Sequence, residues 1–122
     1  MPSGNKALGK KGEDAAAIHL SGKGYTILAR NVRTPCGELD LVASSGEYLV
    51  FGEVKARRGR SHGLPEEAIT RRKKKHLLDS ALQYLQENGR MDTPWRIDVV
   101  AIEYGPRGTL ARIEVFENAV SG

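Results

Sequence analysis

Two stretches of this chain, ELDLVA (residues 38–43) and EYLVFGEVKA (residues 47–56), carry the two-residue apolar period of β-strands, with only Ser44-Ser45-Gly46 between the first and the second. A spacer that short joins antiparallel neighbours, so the two runs are expected to form a hairpin. The hairpin decides which side chains share a face. In the second run Leu49, Phe51, Glu53 and Lys55 fall on one side and Val50, Gly52 and Val54 on the other. In the first run Glu38, Asp40 and Val42 fall together. Pairing the strands then brings Asp40 and Glu53 to one end of the sheet.

The flanking segments add helices and strands around this pair. Residues 6–21 are rich in Ala and end at Gly22 and Gly24, which predicts a helix. YTILARN (25–31) is a short strand, and Pro35 and Gly37 mark a turn. RRGRSHGL (57–64) has the glycines and charge of a mobile loop. Pro65 is expected to open a long helix to about residue 87. Glu66 and Glu67 then sit in its first turn, and Ile69, Leu77, Ala81 and Leu85 form its apolar stripe. WRIDVVAIEY (95–104) and TLARIEVF (109–116) are two more strands. The order is α-β-β-β-α-β-β. A helix is the usual parallel crossover, so the fourth strand is expected to rejoin the sheet parallel to the third. The fold class is α/β, a mixed β-sheet flanked by helices.

A chain of 122 residues suits one domain, 1–122, with residues 1–5 and 118–122 expected to fray. No apolar run approaches the ~20 residues that span a bilayer, so no membrane partner is expected. The lysines near the start have no apolar stretch behind them, which argues against a signal peptide and for a cytoplasmic location. A single cysteine, Cys36, excludes an internal disulfide framework and a cysteine-based zinc site.

The net charge of +4 is unevenly distributed. Lys55, Arg57, Arg58 and Arg60 form one basic cluster, and residues 71–75 (RRKKK) form another. Runs of this kind are ordinarily solvated faces, but here carboxylates lie directly upstream. Asp40 and Glu53, brought close, repel each other, and a hard divalent cation relieves that repulsion with oxygen ligands. A lysine two residues beyond Glu53 can orient a water or stabilise developing negative charge. These are the parts of metal-assisted phosphodiester hydrolysis. A plain Glu53–Lys55 ion pair across the strand is the competing reading of the same spacing. Glu13 is unusual in lining up at helical spacing with Gly9, Ala16, Ala17 and Leu20, a small and apolar stripe. Lys73 falls on the second helix's apolar stripe, four residues before Leu77. Asp98 lies between apolar residues of a central strand, and Arg96 is its expected partner. His19, His62 and His76 match no metal-ligand spacing.

In combination GKKGEDAA, GELDLVA, LVFGEVKARR and WRIDVVAI resemble, in order and spacing, the YraN family of small bacterial nuclease-like proteins. That family is similar to the restriction-endonuclease-like, PD-(D/E)xK superfamily and to archaeal Holliday-junction resolvases. The resemblance runs from about residue 6 to 118. It implies a restriction-endonuclease-like fold and Mg²⁺- or Mn²⁺-dependent cleavage of DNA, branched DNA included. It further implies that Asp40, Glu53, Glu13 and the backbone carbonyl of Val54 are metal ligands, with Lys55 beside the attacking water. Arg57, Arg58, Arg60 and Lys73 are the residues expected to meet phosphates. Symmetric cleavage of a junction would need a homodimer. Leu39 stands where the superfamily often has proline, and Gly52 where a bulkier β residue is usual. The alternatives are a nucleic-acid-binding module without chemistry, serving as scaffold for a recombination or DNA-uptake partner, and a basic protein that binds another protein.

Overall fold

The computed structural model describes the backbone of residues 2–120 and the side chains of residues 7–120. Helix α1 (Pro2–Gly22) leads into three antiparallel strands, β1 (Thr26–Thr34), β2 (Gly37–Ser45) and β3 (Tyr48–Arg58). Helix α2 (Arg71–Glu87) then crosses over to β4 (Trp95–Tyr104), which pairs parallel to β3, and β5 (Leu110–Val120) closes the sheet antiparallel to β4. The five strands lie in the order β1-β2-β3-β4-β5. This is the α-β-β-β-α-β-β mixed sheet read from the sequence.

The alternation within the strands divides the core into two layers. Val50, Leu41, Ala43, Val100 and Ile102 pack against Ala16 and Leu20 of α1. Leu49, Phe51, Val42 and Ile97 pack against Leu77, Ala81 and Leu85 of α2. Burial of these side chains supplies the main driving force for folding, about 1.5–3 kcal/mol for each large one. The α1 layer is tight at one point. A Cβ added at Gly12 would stand 2.9 Å from the Ala56 Cβ, so glycine there lets α1 lie directly on β3.

Two expectations are corrected. The helix expected from Pro65 is two elements: a short 3-10 turn, Pro65–Ala68, and α2 proper, which begins after Thr70. Thr70 is the N-cap, its hydroxyl accepting from the Lys73 N–H at 3.1 Å, so a cap inside the segment restarts the helix. Ile69 therefore lies outside α2. Glu66 pairs with Arg112 at 2.5 Å instead of facing a helix dipole. Helix α1 is described from Pro2, and β5 runs to Val120, which pairs with Ile97. Residues 1, 121 and 122 lie outside the described residues. Finally, strict alternation fails in β2. Leu39 and Leu41, two apart, pack into opposite layers, while Leu39 and Val42 share one.

Candidate metal and phosphodiester site

That break in alternation sits at Asp40. The β2–β3 ladder runs from Ser45↔Tyr48 to Leu41↔Gly52 and stops there, while β3 stays paired to β4 as far as Arg58. A turned-away β2 leaves β3 without its ladder partner from residue 53 on. The Asp40 carboxylate substitutes for it, accepting a hydrogen bond from the Val54 N–H at 2.9 Å. The N–H and C=O of a strand residue point to the same side, so the Val54 carbonyl faces the same gap. Gly52 fits the divergence point, where an added Cβ would meet the Leu41 Cβ at 3.4 Å. On the other side of β2, Asn31 of β1 occupies the position opposite Asp40, between the pairs Arg30↔Leu41 and Val32↔Leu39, in the left-handed region (φ 53°).

Glu53 lies at the gap and is buried (5% exposed). Its Oε2 is 3.5 Å from the Lys73 ammonium, carried in by the first turn of α2. Its Oε1 has no hydrogen-bond partner. Burial first, and the nearby Asp40 charge second, push the Glu53 carboxyl from 4.5 up to about 8, with Lys73 opposing. Glu13 of α1 is half-buried and also raised, by burial and then by Asp40. A hydrogen bond with Asn31 and the charge of Arg30 oppose that rise. Arg30 lies 3.8 Å from Glu13 and 2.7 Å from the neighbouring Asp14. Thus both Glu53 and Glu13 feel Asp40, from opposite elements. Among the described residues, however, no three His, Cys, Asp or Glu stand close enough together to hold a metal ion by themselves. What the fold assembles is a buried Glu53 with one oxygen unanswered, the half-buried Asp40 near it, and Glu13 within electrostatic reach of Asp40.

The other residues singled out from the sequence fall as follows. Lys55 is half-buried on β3 and lines a cleft of about 510 Å³ with Val54, Arg57, His62, Leu8 and Gly9. The Nε of Arg57 is buried without a partner. Arg58 is exposed. Arg60 turns back onto Glu103, its Nε 2.7 Å from Oε1. Lys73 contacts Glu53 rather than standing free at the surface. Asp98 is bound as expected by Arg96 (3.0 Å), and also by the Tyr25 hydroxyl (3.0 Å) and the Asn118 N–H (2.9 Å). His19 and His76 stand outside these contacts.

Sequence reasoning missed Asn31, Arg30 and the buried Glu103. Asn31 carried a signal in hindsight, since asparagine tolerates the left-handed region that a strand normally excludes. Glu103 had none: Arg112 and Arg60 reach it from β5 and from the loop after β3, and only the sheet register brings them there.

A mixed sheet with a helix on each face and a carboxylate at the point where the central strands part defines a restriction-endonuclease-like protein. The model of Uncharacterised protein family UPF0102 matches residues 12–102, which run from within α1 to within β4. The chain is 49% identical over 119 residues to a UPF0102 protein of Pelotomaculum thermopropionicum (98% of this chain, 99% of the other). It is 48% identical over 115 residues to one of Symbiobacterium thermophilum (94% and 97%). It is 42% identical over 120 residues to one of Dehalococcoides mccartyi (98% of each). The chain belongs to the UPF0102 family, in agreement with the YraN-like resemblance read from its motifs. Among the described residues no helix is long and apolar enough to cross a membrane.

Proposed function

We propose that this protein is a metal-dependent nuclease that cleaves DNA phosphodiesters, with branched DNA the substrate class its resemblance favours. The observation that carries the reading is the pair Asp40–Glu53 at the β2–β3 divergence, with the buried Glu53 Oε1 unpartnered and the carboxyl pushed up to about 8. A native protein rarely leaves a buried carboxylate oxygen unanswered. Hard oxygen donors in this arrangement suit Mg²⁺ or Mn²⁺. Asp40, Glu53 and the Val54 carbonyl would hold it, with Glu13 completing the set. When bound, the cation supplies Lewis-acid stabilisation of charge on the phosphoryl oxygens. Lys55, two residues along β3, orients water toward the phosphorus and offsets developing negative charge. Lys73 keeps Glu53 in place through its 3.5 Å contact. Arg57 and Arg58 continue the positive edge of β3 and hold the nucleic-acid backbone. Symmetric cuts in a junction would come from a homodimer.

The lack of a closed three-residue metal cluster among the described residues favours one second reading, a nucleic-acid-binding module without chemistry. The two separate in one experiment. Mn²⁺ is titrated calorimetrically into wild type and Asp40→Ala, and both are incubated with Mg²⁺ or Mn²⁺ and linear, flapped and four-way DNA. Nuclease function predicts metal uptake by wild type alone and a loss of cleavage on the order of 100-fold or more in the variant. Equal inertness of both proteins on every substrate would leave the binding module standing.

A further inference from the structure

A second cavity of about 510 Å³ lies beside the cleft of Lys55, and Arg58 lines both. It is formed by the carboxyl end of β4, the turn Gly105-Pro106-Arg107-Gly108 and Lys11 of α1. Three cations from three separate segments, Lys11, Arg58 and Arg107, line it, and no acidic side chain does. Among the described residues none of the three forms an ion pair with a carboxylate, unlike Arg60 and Arg112 close by, which are both committed to Glu103.

The pocket is held in shape. The Lys11 ammonium donates to the Gly108 carbonyl at 2.5 Å and lies 4.4 Å from the centre of the Tyr104 ring. Gly108 makes room for it, since an added Cβ would stand 3.0 Å from the Lys11 Nζ. Arg107 is held in the left-handed region (φ 66°), a conformation unfavourable for a long side chain. The turn is tied by Gly108 N–H to Gly105 carbonyl at 3.1 Å and by Gly105 N–H to Thr109 carbonyl at 2.8 Å. Strain of this kind persists where the surroundings enforce it, and concentrates at ligand sites. Both cavities open at the carboxyl ends of the parallel pair β3 and β4, where open α/β sheets take their ligands.

We propose that Lys11, Arg58 and Arg107 form a second phosphate site, which takes a backbone phosphate of the nucleic acid at a distance from the carboxylates. This deepens the nuclease reading and rests on it for the identity of the ligand. Arg58 follows Glu53 by five residues, ~17 Å of strand at ~3.3 Å per residue. DNA rises ~3.4 Å per base pair. Arg58 also lines the cleft of Lys55 and Arg57, so the two cavities adjoin, and a backbone phosphate held there would lie on the order of five base-pair steps from the cut.

The test measures binding of a fluorescent DNA duplex by anisotropy, in EDTA, across a salt series. Wild type is compared with Arg58→Gln/Arg107→Gln and with Lys23→Gln/Arg33→Gln, which removes the same charge far from the pocket. Thermal melting checks that each variant is folded. The proposal expects the first variant to bind about tenfold or more weakly. Its slope of log K against log salt should be shallower by about 0.9, the value for one lost phosphate contact. The control should stay close to wild type, and Arg58→Lys/Arg107→Lys should restore the slope. Equal binding by the two glutamine variants overturns the proposal, as does failure of wild type to bind DNA at low salt. Displacement by millimolar inorganic phosphate as effective for a short duplex as for a long one overturns it too, because the site would then be one for a free anion. Cleavage is scored separately. If no substrate is cut but the slope still depends on Arg58 and Arg107, the second site stands and the nuclease reading falls. If cutting persists and the slope does not change, the reverse holds.

Discussion

Glu53 and Asp98 are both buried carboxylates, one register step apart on the parallel strands β3 and β4, since Asp98 pairs with Gly52. Their surroundings differ. Asp98 accepts from Arg96, from the Tyr25 hydroxyl and from the Asn118 N–H, so both of its oxygens are answered. The β5 bulge opposite it, where Val99 pairs with Phe116 but Ile97 pairs with Val120, and the left-handed Asn118 (φ 51°) deliver that last donor. Glu53 has one cation at 3.5 Å, one oxygen with no partner and a second carboxylate nearby. A satisfied buried charge ties elements together; an unsatisfied one holds unfavourable free energy that a ligand can relieve. The comparison separates a buried acid whose charge the fold answers in full from one whose charge it does not, although each reads in the sequence as an acid between apolar neighbours.

The contrast is most open to attack at Asp98. Asp98→Ala removes the acceptor for three donors and leaves Arg96, itself only 15% exposed, with the more distant Glu117 carboxylate at 3.6 Å and the Tyr25 hydroxyl as its remaining partners. Urea denaturation should show a loss of about 3–5 kcal/mol. A loss under ~1 kcal/mol would mean that Asp98 is no more structural than Glu53.

Glu53→Gln should behave in the opposite sense. In metal-free buffer the wild-type carboxyl is raised from 4.5 in the unfolded chain to about 8 in the fold. The folded state thus holds the proton more tightly. The associated stability is fully present below pH about 4.5 and declines as the pH rises to about 8. The glutamine variant lacks that decline. Its stability relative to wild type should increase between pH 5 and pH 8, by on the order of 1–3 kcal/mol. A pH-independent difference between the two proteins would show that Glu53 is not a strained acid. On the metal-dependent reading, saturating Mn²⁺ should reverse the sign, because only wild type would gain a bound ion.

The smallest effect sharpens the role of α2. Thr70→Ala removes the cap that sets where the helix starts and so where Lys73 emerges. The expected cost is about 1 kcal/mol, read as a shift in the urea midpoint. With Lys73 less well held, the pH-dependent loss of stability at Glu53 should steepen in this variant. A midpoint shift with no change in that pH profile would mean that the cap positions the helix but not the Lys73–Glu53 contact.

Much of this was legible in the chain. The strands around Asp40, Glu53 and Lys55 follow from a two-residue period, and the parallel β4 follows from the intervening helix. The cap at Thr70 is masked in the sequence, because Pro65 and two glutamates make a persuasive helix start on their own. The ion pairs of Glu103 could not be read, because Arg60 and Arg112 are remote in sequence from it and from each other.

The local pattern of side chains decided which elements form and which faces they bury, because apolar periodicity and turn residues act over a few neighbours. It also decided that acids and bases would stand together along β3. Only the tertiary structure decided that β2 turns away at Asp40, that Asn31, Glu13 and Lys73 close in from three other elements, and that one oxygen of Glu53 is left over. Those outcomes depend on how strands and helices meet in space, where a single reversed face between Leu39 and Leu41 converts a hairpin into an opening.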